Sequence, residues 1–160
     1  MAPLVILVLV TLVLTGAGAA GVRWLRPWQM ALRGGVAAMF TATGVAHFVG
    51  MREQLISMVP PGLPAPGLLV TVTGVLELAG AVGVLWPRTV KWAAAGLSAM
   101  LVLMFPANVY AAVHDVLTAW DDQLVPRTLM QVVFLAATVT VLVHARRSSR
   151  AAEPVRPLPQ

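Results

Sequence analysis

The chain has 160 residues, 59% of them hydrophobic and only 11% charged, with a net charge of +5 and no cysteine. A soluble domain carries roughly 25% charged residues, so the composition points to an integral membrane bundle. The lack of cysteine excludes disulfides, thiolate metal sites and cysteine redox chemistry within the chain. The basic residues cluster at the ends of apolar runs, where membrane topology accounts for them without nucleic acid.

Ala2 to Val22 is free of charge. Ala17-Gly18-Ala19 resembles a signal-peptide cleavage site, yet no basic residue precedes the run, while Arg23, Arg26 and Arg33 follow it. A signal peptide has the opposite charge order. The expectation is a retained N-terminal transmembrane helix over residues 1–22, with its N-terminus outside. Gly34 to Met51 is the second run, with Val36, Phe40, Thr43, Gly44 and His47 on one face. Pro60, Pro61, Pro64 and Pro66 then forbid a continuous helix. Residues 55–59 are expected to form a short interfacial segment, Pro60 to Gly67 an ordered cap, and Pro66 the first turn of the next helix.

Gly67 to Trp86 is twenty residues long and apolar apart from two threonines and Glu77. At ~1.5 Å per residue it matches a hydrocarbon core of ~30 Å. Helical spacing puts Val70, Thr73, Gly74, Glu77, Gly80, Ala81 and Val84 on a small, partly polar face. Leu68, Val72, Val75, Val82 and Trp86 make a bulky face suited to lipid. A carboxyl group this deep should face protein or a cavity. With no basic residue at matching depth, Glu77 is expected to stay neutral and to hydrogen-bond Thr73, Asn108 or a ligand carbonyl.

Pro87 ends that helix, and Trp86 and Trp92 fit an aromatic belt. The fourth run, Trp92 to Val113, contains Pro106, which frees the carbonyl of Val102. Asn108 is placed to repair that break or to serve a ligand. Residues 114–127 form a polar loop with Asp115, Asp121 and Asp122. Thr128 to Ala145 is the fifth run, with Gln131, Leu135, Thr138 and Leu142 on one face; residues 146–160 read as a disordered basic tail. With five helices and the N-terminus outside, nine of the eleven basic residues fall on the inner side and only Arg52 and Arg127 outside. That is the orientation membrane insertion favours, with a cytoplasmic C-terminus.

TGVAHF (43–48), MVPPGLPAPG (58–67), TGVLELAGAVGVLWP (73–87) and FPANVYAA (105–112) together resemble the DoxX family of small membrane proteins. The similarity covers residues 33–145 and implies a four-helix membrane domain. The helix before it is an addition to that pattern. The resemblance implies association with redox systems: some members are similar to a subunit of a thiosulfate:quinone oxidoreductase, and others are linked to membrane oxidoreductase assemblies.

The polar residues inside the runs suggest one site. His47, Asn108 and Gln131 fall in the outer parts of three helices, and Thr73 and Glu77 lie deeper in a fourth. All five are expected to converge on an outward-opening cavity for a quinone or other small lipophile, with Glu77 handling a proton. The alternative is interhelical hydrogen bonding worth about 1 kcal/mol per bond. His47 and His114 share the outer side, His144 lies at the inner end, and no pair has a ligand spacing, so no metal site is expected. Gly34-Gly35 and the pair Ala79 and Gly83 read as packing residues. Two functions follow: a non-catalytic membrane subunit that anchors a soluble or membrane oxidoreductase, or a quinone-binding subunit. A transporter, which would need oligomerisation, ranks third.

Overall fold

The computed structural model describes residues 1–114 and 123–151, with side chains described to Ser149. The elements are α1 (Ala2–Ala19), a 3-10 turn (Arg23–Leu25), α2 (Trp28–Ala46), α3 (Arg52–Ser57), α4 (Pro66–Leu85), α5 (Val90–Val113) and α6 (Leu124–Ala151). There is no strand among the described residues. The protein is an all-α bundle. Four helices, α1, α4, α5 and α6, are long and apolar enough to cross a membrane, which is compatible with a multi-pass membrane protein.

α2, at 19 residues, is longer than α1 but less apolar than the four spans, and it lies at the centre, against α1, α4 and α6. Its neighbours explain its composition. Ala31, Gly35, Val36, Ala37, Met39, Phe40 and Gly44 are all buried, so α2 meets protein where the other helices carry large exposed apolar side chains. A Cβ at Gly35 would run into the Thr11 hydroxyl and lie 2.9 Å from the Leu7 carbonyl oxygen. Small residues there let α1 and α2 approach backbone to backbone. Val36, Phe40, Ala81, Val84, Leu97 and Val141 join α2, α4, α5 and α6 into one core.

The two faces of α4 behave as their periodicity predicts. Val70, Gly74, Glu77, Ala81 and Val84 are buried, whereas Leu68, Val72, Val75, Val82 and Trp86 are exposed. Val82 on α4 and Leu103 on α5 are 67% and 78% exposed. Apolar surface of this kind along whole helices needs a lipid or protein cover.

Several helix ends differ from the sequence-based expectation. α2 starts at Trp28, before Arg33, and Arg33 is held against the end of α4: its Nε donates to the Val84 carbonyl at 2.7 Å and its Nη2 to the Leu85 carbonyl at 3.1 Å. Those carbonyls belong to the last turn of α4, which has no helical partners for them. The helix of the second run also stops at Ala46, short of Met51, and Gly50 takes φ +80 in the turn that follows. Residues 52–57 rather than 55–59 form the short helix. α6 begins at Leu124, four residues before Thr128, with Pro126 in its first turn, where the missing N–H is harmless. It continues to Ala151, so residues 146–151 are helical and not a disordered tail. Asp115, Asp121, Asp122 and residues 152–160 lie outside the described residues.

Pro66 opens α4 as expected, after Ala65 in the left-handed region at φ 51. Trp86, held extended at ψ 125 before Pro87, ends it. Thr89 Oγ1 then donates to the Gly83 carbonyl at 2.8 Å, which satisfies another terminal acceptor of α4 and tightens the turn into α5.

Candidate functional site

The C-terminal half of α2 and the N-terminal half of α4 meet through glycines. A Cβ at Gly74 would lie 2.5 Å from His47 Cβ and 2.9 Å from Phe48 Cε2. One at Gly44 would lie 2.9 Å from Leu78 Cδ2 and 3.2 Å from Glu77 Cβ. The glycine of each helix therefore makes room for side chains of the other, and His47 and Glu77 are both buried at this contact.

Three side chains are organised there. Thr43 Oγ1 donates to Glu77 Oε2 at 2.6 Å. His47 Nδ1 lies 2.9 Å from the Thr43 carbonyl oxygen. A carbonyl only accepts, so Nδ1 carries the proton and Nε2 of a neutral ring is left as an acceptor. Glu77 Oε2 sits 3.9 Å from the same Nδ1, beyond hydrogen-bond reach. No buried side-chain nitrogen or oxygen among the described residues lacks a partner. Since Nε2 has none among the described residues, it is open to the adjoining space.

That space is an apolar groove of about 690 Å³ along α4 and α5. His47, Met58, Pro60 and Asn108 lie at the end beside the start of α4, and Gly83, Thr89 and Trp92 at the opposite end. Its floor is made of small residues, among them Ala79, Gly80, Ala93 and Gly96. Between Leu69 and Gly83 it follows α4 for roughly 21 Å at 1.5 Å per residue. Leu55 of α3 and Met58, Val59, Pro60 and Leu63 of the segment after it line the end beside the start of α4.

The five residues expected to converge separate in the structure. His47, Thr73 and Asn108 line the groove. Glu77 lies behind His47, toward α2, and does not line it. Gln131 sits on the α5–α6 seam, where its Nε2 donates to the Leu101 carbonyl at 2.5 Å. The expected Glu77 partners are otherwise engaged. Thr73 bonds back to the Leu69 carbonyl at 2.9 Å within its own helix, as threonines in helices commonly do. Asn108 accepts from Arg127 Nη1 through its Oδ1 at 3.0 Å, so it pins α6 to α5 instead of repairing the carbonyl of Val102. That bond leaves the two amide N–H groups of Asn108 as donors. His114 donates from Nδ1 to the Tyr110 carbonyl and its ring packs on that of Tyr110.

Two site residues were missed by sequence reasoning. Thr43 shares the His47 face but is the true partner of Glu77. Its signal was the four-residue spacing Thr43–His47, which puts one backbone carbonyl under the imidazole. From sequence alone Arg52 reads only as a charge at the end of an apolar run. Its guanidinium donates to the His47 carbonyl, the Gly67 carbonyl and Thr71 Oγ1, at 3.2, 3.2 and 3.0 Å. It locks the end of α2 to the start of α4 directly above the site.

The family model described as Domain of unknown function (DUF8561) matches residues 36–141. The chain belongs to the DUF8561 family. The DUF8561 segment runs from α2 into α6 and contains the Thr43–His47–Glu77 cluster and the whole groove; α1 lies outside it. No curated protein and no solved structure matches the chain.

Proposed function

We propose that the protein is a DoxX-like, non-catalytic membrane subunit of a redox-associated complex, and that its α4–α5 groove holds a quinone or similar lipophile. The observation that carries this reading is the groove itself: an apolar groove along α4 and α5 with the polar side chains of His47 and Asn108 at one end. Ligand sites have this character, a mostly apolar wall with a few placed polar groups. The isoprenoid or acyl tail lies over Gly80, Ala93 and Gly96, and the head group meets His47 and Asn108. The Asn108 amide donates to a head-group carbonyl. His47 Nε2 accepts a hydrogen bond from a head-group hydroxyl. Residues Arg52 and Pro60 keep the outer end ordered.

The same reading sets the orientation. Arg23, Arg26, Arg33, Arg88, Lys91, Arg146 and Arg147 lie at the end of the bundle where α1, α4 and α6 finish. Arg52 and Arg127 lie at the other. The basic end is cytoplasmic by the positive-inside rule and the groove's polar end is external. Purification in mild detergent, followed by solvent extraction and mass spectrometry, tests the function. A quinone or comparable lipophile should accompany the wild type at close to one per chain and be lost from His47→Phe. A protein that is pure, folded and free of extractable lipophile would sink the ligand reading. Co-purification of an oxidoreductase from gently solubilised membranes tests the subunit role separately.

A further inference from the structure

A second cavity, of about 450 Å³, opens at the opposite end of the bundle, between the start of α2, the α4–α5 turn and the last turns of α6. Its character differs from that of the groove. Gln29, Arg33, His144, Ser148 and Ser149 line it, and no acidic residue does. Among the described residues the acids are Glu53, on α3 at the other end, and Glu77, at mid-depth in α4.

Arg33 is the centre of this cavity. Its guanidinium plane is fixed by the Val84 and Leu85 carbonyls, and Nη1 approaches Met30 Sδ at 3.5 Å. A guanidinium has five N–H donors, so three are used and two remain. Arg33 makes no ion pair among the described residues. A helix cap alone would account for the carbonyl bonds, but it requires neither a cavity nor further donors around it. Here the donors are present. His144 is held by its Nδ1–H to the Thr140 carbonyl at 3.0 Å and by an edge contact with Trp28, ring centroids 4.7 Å apart. Among the described residues its other nitrogen has no partner, and neither the Gln29 amide nor the Ser148 hydroxyl is engaged.

The surroundings add depth and charge. All four tryptophans among the described residues, Trp24, Trp28, Trp86 and Trp92, lie at this end of the bundle, where indoles mark the head-group level of a bilayer. An immobilised arginine at that level, with neutral donors about it and no carboxylate, is suited to a phosphate group. From this juxtaposition we infer that the cavity between Trp28, Arg33 and His144 binds a phosphate-bearing anion, with the Arg33 guanidinium as the charged anchor and Gln29 and Ser148 as additional donors. This site is independent of the α4–α5 groove. Arg33, His144 and Ser148 also lie outside the segment matched by the family model.

The phosphate comes either from an anionic lipid head group or from free phosphate, and thermal unfolding of the full chain in dodecyl maltoside separates the two. The probes are dioleoyl phosphatidylglycerol, dioleoyl phosphatidylcholine and inorganic phosphate, the last against chloride at equal ionic strength. Saturating phosphatidylglycerol should raise the wild-type midpoint by roughly 5 °C over phosphatidylcholine. Its apparent affinity should fall about tenfold in Arg33→Gln and His144→Phe, the scale of one lost charged hydrogen bond. Protection by phosphatidylglycerol without protection by inorganic phosphate identifies a lipid source. Protection by phosphate, with competition against the lipid, identifies the soluble anion. Because Arg33 also caps α4, Arg33→Gln is open to misfolding; Ser148→Leu, at an exposed position on the cavity wall, then takes its place. The inference is overturned if neither probe protects the wild type, or if the folded variants respond as the wild type does.

Discussion

Thr43 on α2 donates a 2.6 Å hydrogen bond to the carboxyl group of Glu77 on α4, and both residues lie beside the helix contact made by Gly44 and Gly74. The bond joins the central helix to the one helix that carries an acid in its middle. Removing the donor strands the acceptor where little water can replace it. Thr43→Val should therefore cost about 1–2 kcal/mol of stability in detergent. Glu77→Gln, whose amide oxygen still accepts from Thr43, should remain within roughly 0.5 kcal/mol of wild type on that bond alone. Glu77→Leu should cost about as much as Thr43→Val, and the double variant little more than either. Additive losses in this cycle, followed by chemical denaturation, would show that the two side chains are not energetically coupled.

How far the sequence revealed this arrangement depends on the kind of information each feature needs. The buried face of α4 was legible from Val70 to Val84 because a helix repeats every 3.6 residues regardless of its neighbours. The partner of Glu77 was not, because Thr73 and Thr43 are equally plausible hydroxyls until the rotation of α2 against α4 is known. Thr73 is diverted to its own backbone, and Thr43 is not. Arg33 misplaced the start of α2 for a related reason. A charge reads as the limit of an apolar run, but this one is absorbed by the terminal carbonyls of α4. Gln131 and Asn108 are expected at one cavity with His47 and Glu77, yet each pairs across the α5–α6 seam. The groove left no direct trace, since Gly80, Ala93 and Gly96 read equally well as close-packing residues.

The glycines at the α2–α4 contact provide a second test. A methyl group at Gly74 meets His47 Cβ, an atom next to the backbone that cannot swing away. Gly74→Ala should lose about 1–3 kcal/mol through overpacking and should displace the imidazole from the groove. Gly16→Ala, where nothing lies within 4 Å, should be neutral or slightly stabilising through helix propensity. Equal thermal midpoints for Gly74→Ala and Gly16→Ala would mean that α2 and α4 are not this closely packed.

The native absence of cysteine gives a clean background for mapping sidedness. Single cysteines at Leu63 and Arg88, on the loop before α4 and the turn after it, occupy opposite ends of one helix. In intact cells Leu63→Cys should react with a membrane-impermeant maleimide, and Arg88→Cys should react only after permeabilisation. Reaction of Arg88→Cys from outside would reverse the orientation inferred from the arginines.

The sharpest test of the groove uses Gly96. It lines the channel on α5, and a Cβ built there meets nothing within 4 Å. A larger side chain can thus extend into the groove without pushing on the backbone of another helix. Gly80 lines the same channel, but its Cβ would lie 2.5 Å from Leu97 Cδ2, so a change there disturbs the α4–α5 packing as well. Gly96→Leu should fold at least as well as wild type, because replacing a helical glycine removes a cost of about 1 kcal/mol. It should nevertheless lose the co-purifying lipophile, since the isobutyl group occupies the path of the tail. Gly80→Leu should lose both stability and ligand. The contrast separates a binding channel from a packing seam. If Gly96→Leu retains the same extractable lipophile at wild-type stoichiometry, the tail does not lie in this groove, and the α4–α5 face must be covered by lipid or another chain instead.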